Sequence, residues 1–349
     1  MGQQIIGIIL LALGGLSSAS FYVPSHKIRK WSWETFWISL GFVAWIIMPT
    51  VGGLLTTPDL WGILRASPSR GLVWSYVFGV LWGFGGLMAG LALRYLGLSL
   101  GQSLTLGVCA IVGTLVPAVI DHKIGLLVST TPGAMVLAGF VVCLAGIALC
   151  GYAGWLKEKR LTDDQKKASI KEFSLGKGLA MAIFGGIMSA CMALAFKAGE
   201  PIAAASVRAG TQEVFKNMPI LVMALGGGFT TNFIATMIIT ARKKAFGDYV
   251  VRPRGTLFRN YFLALISGLM WYGQYFGYGT GATKMGEYGF ASWSIFMASI
   301  IIFSNVWGLL LKEWKLVDSR TRLYLWLGIL ALVVSVIMIG VGNGLAAGG

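Results

Sequence analysis

The sequence predicts an all-α integral membrane protein whose ten transmembrane helices form two inverted five-helix repeats, with both termini periplasmic. Three observations carry that prediction. Ten stretches of 19 or more residues contain no Asp, Glu, Lys, Arg or His, in a 349-residue chain that is 12% charged. A hydrocarbon core about 30 Å thick takes roughly 20 apolar residues of helix to cross, and a charge at mid-span costs about 2.5–3.5 kcal/mol even on lenient scales. Of the 28 Lys and Arg residues, 21 fall in the odd-numbered connections between these stretches. The positive-inside bias therefore places those connections in the cytoplasm and both chain ends outside. Finally, five stretches lie on each side of a charged mid-chain segment, so the second half enters the membrane upside down.

Residues 1–156 make the first repeat, with charge-free stretches at 1–25, 35–58, 71–93, 95–120 and 124–156. No basic residue precedes the first stretch, and His26, Lys27, Arg29 and Lys30 follow it. That is the reverse of a secretory leader, so the stretch is expected to remain as a span. Residues 157–177 mix both signs of charge and read as a cytoplasmic linker. The second repeat, 178–349, has its stretches at 178–196, 217–241, 260–283, 288–311 and 323–349. Pro201 followed by Ile-Ala-Ala-Ala predicts a short external helix with proline in its first turn. Faint echoes join the halves: Gly14-Gly15-Leu16-Ser17-Ser18-Ala19 resembles Gly185-Gly186-Ile187-Met188-Ser189-Ala190. At one further offset, Gly79, Trp82 and Gly90 fall on Gly268, Trp271 and Gly279. Inverted repeats of this kind are a transporter signature, since two mirrored halves can exchange conformations.

The absences narrow the function. The net charge of +15 has no basic domain to carry it, so it reads as an orientation signal and not as a nucleic-acid surface. Cys109, Cys143, Cys150 and Cys191 all lie in spans, with no CxxC or Cys/His cluster, which leaves no metal site and no cofactor. The spans contain no His, Asp or Glu, and no HExxH, GxSxG or P-loop occurs, which argues against an intramembrane enzyme.

What the spans do hold is uncharged polar and aromatic groups. Trp271, Gln274, Tyr275 and Tyr278 fall at i, i+3, i+4 and i+7 and share a helix face. With Tyr272 beside them, Ser18, Trp82, Gln102, Trp293 and Asn305 complete the candidate substrate contacts. A neutral sugar suits this inventory: its C–H face stacks on rings, and its hydroxyls exchange hydrogen bonds with amides and hydroxyls without a counter-charge. The same residues also serve as interfacial anchors and as glue between helices. Ion coupling would need a carboxylate, and the candidates sit at span edges: Glu34, Glu200 and Glu287. Each also reads as a solvated charge, and Lys197 stands three residues from Glu200, at pairing distance on a helix. A carrier or exporter of another small neutral metabolite, and a non-transporting sensor or scaffold, remain open on residues alone.

Several stretches resemble the bacterial L-rhamnose–proton symporter family, RhaT, of the drug/metabolite transporter superfamily. They are Phe21-Tyr22-Val23-Pro24, Lys30-Trp31-Ser32-Trp33-Glu34-Thr35, Arg94-Tyr95-Leu96-Gly97-Leu98-Ser99-Leu100-Gly101, Gly268-Leu269-Met270-Trp271-Tyr272, Ser292-Trp293 and Leu311-Lys312-Glu313-Trp314. The resemblance spans essentially the full length. It implies ten helices, a central site shared by both halves, and proton-driven uptake of L-rhamnose or a similar deoxy sugar through the bacterial inner membrane. The chain departs from enteric members at Gly86-Leu87-Met88-Ala89, where they carry an Asn and a Tyr, and around Ile295-Phe296-Met297, where they carry a His.

Overall fold

The computed structural model describes residues 2–96, 98–159, 174–312, 314–315 and 317–346. In chain order its helices are α1 (Gly2–Ser20), α2 (Trp33–Phe42), α3 (Met48–Thr56), α4 (Leu60–Ala66), α5 (Ser69–Leu96), α6 (Leu98–Ile120) and α7 (Ile124–Ser129). They continue with α8 (Thr131–Lys159), α9 (Leu175–Ala198), α10 (Glu200–Arg208), α11 (Met218–Lys243), α12 (Arg254–Ala282), α13 (Ser292–Leu310) and α14 (Ser319–Ala346). No strand occurs among the described residues. Residues 160–173 of the expected linker, and Gly97 and Glu313 of the family-like stretches, lie outside them.

Local chemistry sets the breaks. Pro49 offers no N–H to the carbonyl of Trp45, and its ring crowds that carbonyl, so α2 passes into α3 through a wider turn at Val43–Ile47. Asp59 caps α4, accepting from the Gly62 N–H at 2.9 Å. The stretch 124–156, expected as one span, folds instead as α7 and α8. The Thr130 hydroxyl accepts from the Gly133 N–H at 3.0 Å and Pro132 occupies the first turn, so a new helix starts there. The short helix expected at Pro201 is α10.

Nine helical segments among the described residues are long and apolar enough to cross a membrane. Their outward side chains include Ile5, Leu54, Val141, Ile234 and Leu330, all exposed. Water penalises apolar surface on this scale and lipid does not. The chain is a multi-pass integral membrane protein. Helix α12 is as long as these segments, at 29 residues, yet falls outside the nine because of its polar and aromatic content. Much of the polar content faces inward: Asn260, Ser267, Trp271, Gln274, Tyr275 and Tyr278 are buried, while Phe258, Tyr261, Phe262, Leu265 and Leu269 are exposed.

Helix α1 packs on α12 and α13, α9 packs on α5 and α6, and α8 packs on α14. Paired glycines permit the first two contacts. Gly14 lies against the α12 backbone at Gln274–Tyr278 and Gly15 against Ser299 of α13. Gly185 meets Met88 and Ala89 of α5, and Gly186 meets Thr105 and Val108 of α6. A Cβ at Gly15 or Gly186 would collide with its neighbour, so these helices approach at a distance only glycine allows. The four cysteines are free and buried.

Candidate functional site

A cavity of about 350 Å³ lies where α1, α5, α6, α9, α12 and α13 meet. One wall is built for hydrogen bonding and ring stacking. The Ser18 hydroxyl donates to Gln274 Oε1 at 2.8 Å, and Ser17 Oγ donates to the Met270 carbonyl at 2.7 Å, locking α1 to α12. With Oε1 engaged, the Gln274 amide is fixed in orientation, and its N–H donors are left for the cavity it lines. Trp271 stands 5.5 Å from Trp82 and 5.4 Å from Tyr275, centroid to centroid, with Trp45 behind it at 5.3 Å. Trp82 in turn rests on Gly228, where a side chain would clash with its ring.

A second wall comes from α6 and α13. Gln102, Leu106 and Cys109 repeat at helical spacing on α6; Trp293, Phe296, Met297, Ile300 and Ser304 do so on α13. No charged side chain lines the cavity among the described residues. Nor does any group of three His, Cys, Asp or Glu among them stand close enough to hold a metal.

Seven of the nine candidate contacts line this cavity: Ser18, Trp82, Gln102, Trp271, Gln274, Tyr275 and Trp293. Tyr272 and Asn305 do not. Tyr272 follows Trp271 by one residue, about 100° around the helix. It points its hydroxyl at Met218 Sδ, 3.7 Å away, and packs over Gly52 of α3. Asn305 returns its amide to the Ile301 carbonyl of its own helix at 2.9 Å. Sequence reasoning missed Leu106, Cys109, Phe296, Met297 and Ile300. Apolar residues in an apolar span give no compositional signal, although extending the Trp293 face by three, four and seven residues finds Phe296, Met297 and Ile300.

A second cavity, of about 770 Å³, opens at the end of the bundle where residues 121–123, 197–217 and 283–290 gather. It is lined by charges, among them Asp121, Lys123, Lys197, Glu213 and Lys216. Lys197 pairs with Asp121 and with Glu200. A layer of rings separates this vestibule from the central cavity. Tyr278 lies 5.1 Å from Phe196, 5.1 Å from Trp293 and 5.4 Å from Phe296. Phe196 and Tyr278 line the vestibule, and Trp293 and Phe296 line the central cavity. Trp293 is held by donation to the Cys109 carbonyl at 3.2 Å, with its indole over Gly113.

Of the three edge carboxylates, Glu200 and Glu287 are exposed. Glu34 is only 1% exposed and is the one buried carboxylate among the described residues. Lys243, at the end of α11, stands 3.1 Å from it. The residues around Glu34 fasten the α1–α2 connection to the second half of the chain. Trp31 donates to the Asp248 carbonyl at 2.6 Å, and the Ser32 N–H donates to Asp248 Oδ2 at 2.7 Å. Asn260 donates to the Arg29 carbonyl at 2.7 Å, and Trp37 donates to Asn232 at 3.0 Å.

A model of the family described as L-rhamnose-proton symport protein (RhaT) matches residues 1–347. An L-rhamnose-proton symporter of Cronobacter sakazakii is 36% identical over 341 residues, covering 97% of both chains. One of Mannheimia succiniciproducens is 35% identical over 344 residues, 98% of both. One of Yersinia pestis is 34% identical over 342 residues, 97% of this chain and 98% of its own.

Proposed function

The chain belongs to the L-rhamnose-proton symport protein family, a family of transporters and not of enzymes, and from that premise we propose that it imports L-rhamnose or a similar neutral deoxy sugar with a proton. The membrane is the bacterial inner membrane. The observation that carries this reading is the central cavity: it is walled by amides, hydroxyls, rings and aliphatic side chains, with no charged side chain among the described residues that line it. A nucleotide sugar or a cationic metabolite would leave its charge unpaired there, at a cost of several kcal/mol; a neutral sugar brings no charge to leave unpaired.

In this reading α12 is the tenth span, its polar face turned to the cavity and its Phe and Leu residues to lipid. The inverted repeats, 1–156 and 178–349 about the cytoplasmic linker 157–177, are supported by the crossed packing. The first helix of each half seats a glycine pair on the third and fourth spans of the other half. With both termini periplasmic, the charged vestibule faces the periplasm and Glu34 the cytoplasm. The aromatic layer then closes the sugar site on one side, and the Glu34–Lys243 and Asp248 contacts hold the bundle shut on the other. Transport requires these closures to open in turn. Protonating Glu34 removes the charge that holds Lys243 across the two halves, which makes it the coupling group that burial favours over Glu200 and Glu287.

Purified protein in liposomes, offered labelled L-rhamnose with and without an inward proton gradient, tests the reading. Gradient-stimulated accumulation is expected. Uptake that ignores the gradient removes the proton, and no uptake removes the sugar.

A further inference from the structure

The two walls of the central cavity differ in kind, and the difference assigns an orientation to the sugar. Helices α6 and α13 run antiparallel, with their register set by two contacts. The Trp293 indole lies on Gly113, and Thr114 and Ser294 share a hydroxyl hydrogen bond of 2.7 Å. One turn inward from this level, Cys109 faces Met297; the next step brings Leu106 level with Ile300, and the next Gln102 with Ser304. An apolar strip therefore lies between Trp293 at one end and the Gln102–Ser304 level at the other, bounds that are about three turns, roughly 16 Å, apart. The rest of the lining includes the Ser18–Gln274 pair, Ser189 and the rings of Trp82, Trp271 and Tyr275.

A 6-deoxyhexose has matching sides: ring hydroxyls around most of its rim and a methyl group on C5. We propose that Leu106, Met297 and Ile300 form the subsite for that methyl group and set the preference for a 6-deoxy sugar over its 6-hydroxy counterpart. The proposal rests on the sugar-transport reading above. A hydroxymethyl group in the strip would bury a hydroxyl against side chains that offer it no partner. An apolar pocket discriminates against one added hydroxyl by about 10- to 100-fold, so L-mannose is expected to bind that much more weakly than L-rhamnose.

Competitive binding of the two sugars to the purified full chain tests this. Met297→Gln and Leu106→Asn keep side-chain volume close to the original while adding hydrogen-bonding groups. Each is expected to bring the L-mannose to L-rhamnose affinity ratio toward unity, and Met297→Leu is expected to preserve it. Gln274→Ala is expected to weaken both sugars in parallel and leave the ratio unchanged. Variants that bind L-rhamnose with the wild-type ratio intact, or a wild-type ratio already near unity, overturn the methyl subsite while leaving the transport reading standing. A wild-type chain that binds neither sugar overturns the transport reading, and the subsite with it.

Discussion

Gln274→Ala is the most direct probe of the central cavity, because the structure fixes what the side chain does. Its Oε1 accepts from Ser18 at 2.8 Å, so its amide N–H groups are the part left to meet a sugar hydroxyl. Truncation removes that donor and strands the Ser18 hydroxyl beside the ligand. Loss of one neutral hydrogen bond together with an orphaned buried partner costs about 1–3 kcal/mol. A central value of about 2 kcal/mol corresponds to roughly 30-fold weaker binding. The assay is built into the site: Trp82, Trp271 and Trp293 line the same cavity, so sugar titration is expected to perturb intrinsic tryptophan fluorescence. Trp61→Ala supplies the control, since Trp61 is 47% exposed on α4 and away from the cavity. L-rhamnose affinities that fall within twofold of each other for the two variants would refute the placement of the sugar against α12.

Three further outcomes are expected. Glu34→Gln should abolish proton-gradient-driven accumulation in liposomes while leaving L-rhamnose counterflow measurable; accumulation at the wild-type level excludes Glu34 as the coupling group. Gly186→Val, which drives side-chain atoms into Val108 and the Thr105 carbonyl, should lower the unfolding midpoint in detergent by an overpacking cost of about 1–3 kcal/mol. Gly226→Ala, with open space at its Cβ position, should leave that midpoint unchanged, and equal midpoints for the two variants would contradict the close α9–α6 contact. Cys109 alone of the four cysteines lines the central cavity, so L-rhamnose should slow its reaction with a membrane-permeant maleimide, and Cys109→Ser should remove the protectable fraction.

Much of this was legible in the sequence, for identifiable reasons. Membrane spans are read from what they lack, and ten charge-free stretches predict helices wherever they occur. The Trp271, Gln274, Tyr275 face was legible because polar groups in hydrocarbon are costly and must turn inward. Tyr272 shows the limit of that rule: it is buried and polar like its neighbours, but it lies off the stripe and faces Met218. Asn305 shows another, since a helical Asn can satisfy its amide on the carbonyl four residues back without facing any cavity. The α7–α8 break inside a continuous apolar run was hidden because hydropathy carries no trace of a cap; Thr130 and Pro132 carry it instead. The apolar strip of α13 was hidden for the converse reason, as nothing distinguishes a cavity-facing Met297 from a lipid-facing one until the helix is rotated into place.

The electrical neutrality of the central cavity constrains how a proton can drive the sugar. With no Asp, Glu, His, Lys or Arg lining it among the described residues, the cavity holds no charged side chain through which the proton and the ligand could be linked directly. Linkage must then pass through the equilibrium between conformations, each ligand favouring the state it binds better. In the proposed mechanism Glu34 takes that role and does not contact the sugar. It sits outside the cavity, on α2, and its partner Lys243 ends α11 in the other half, so its charge bears on whether the halves stay joined at that end. The surrounding contacts share the load, because Asp248 receives hydrogen bonds from Trp31, Ser32 and Thr35 at the same junction. In the proposed mechanism, losing the Glu34–Lys243 pair loosens the closure without dismantling it. That suits a group whose task is to bias an equilibrium that sugar binding completes.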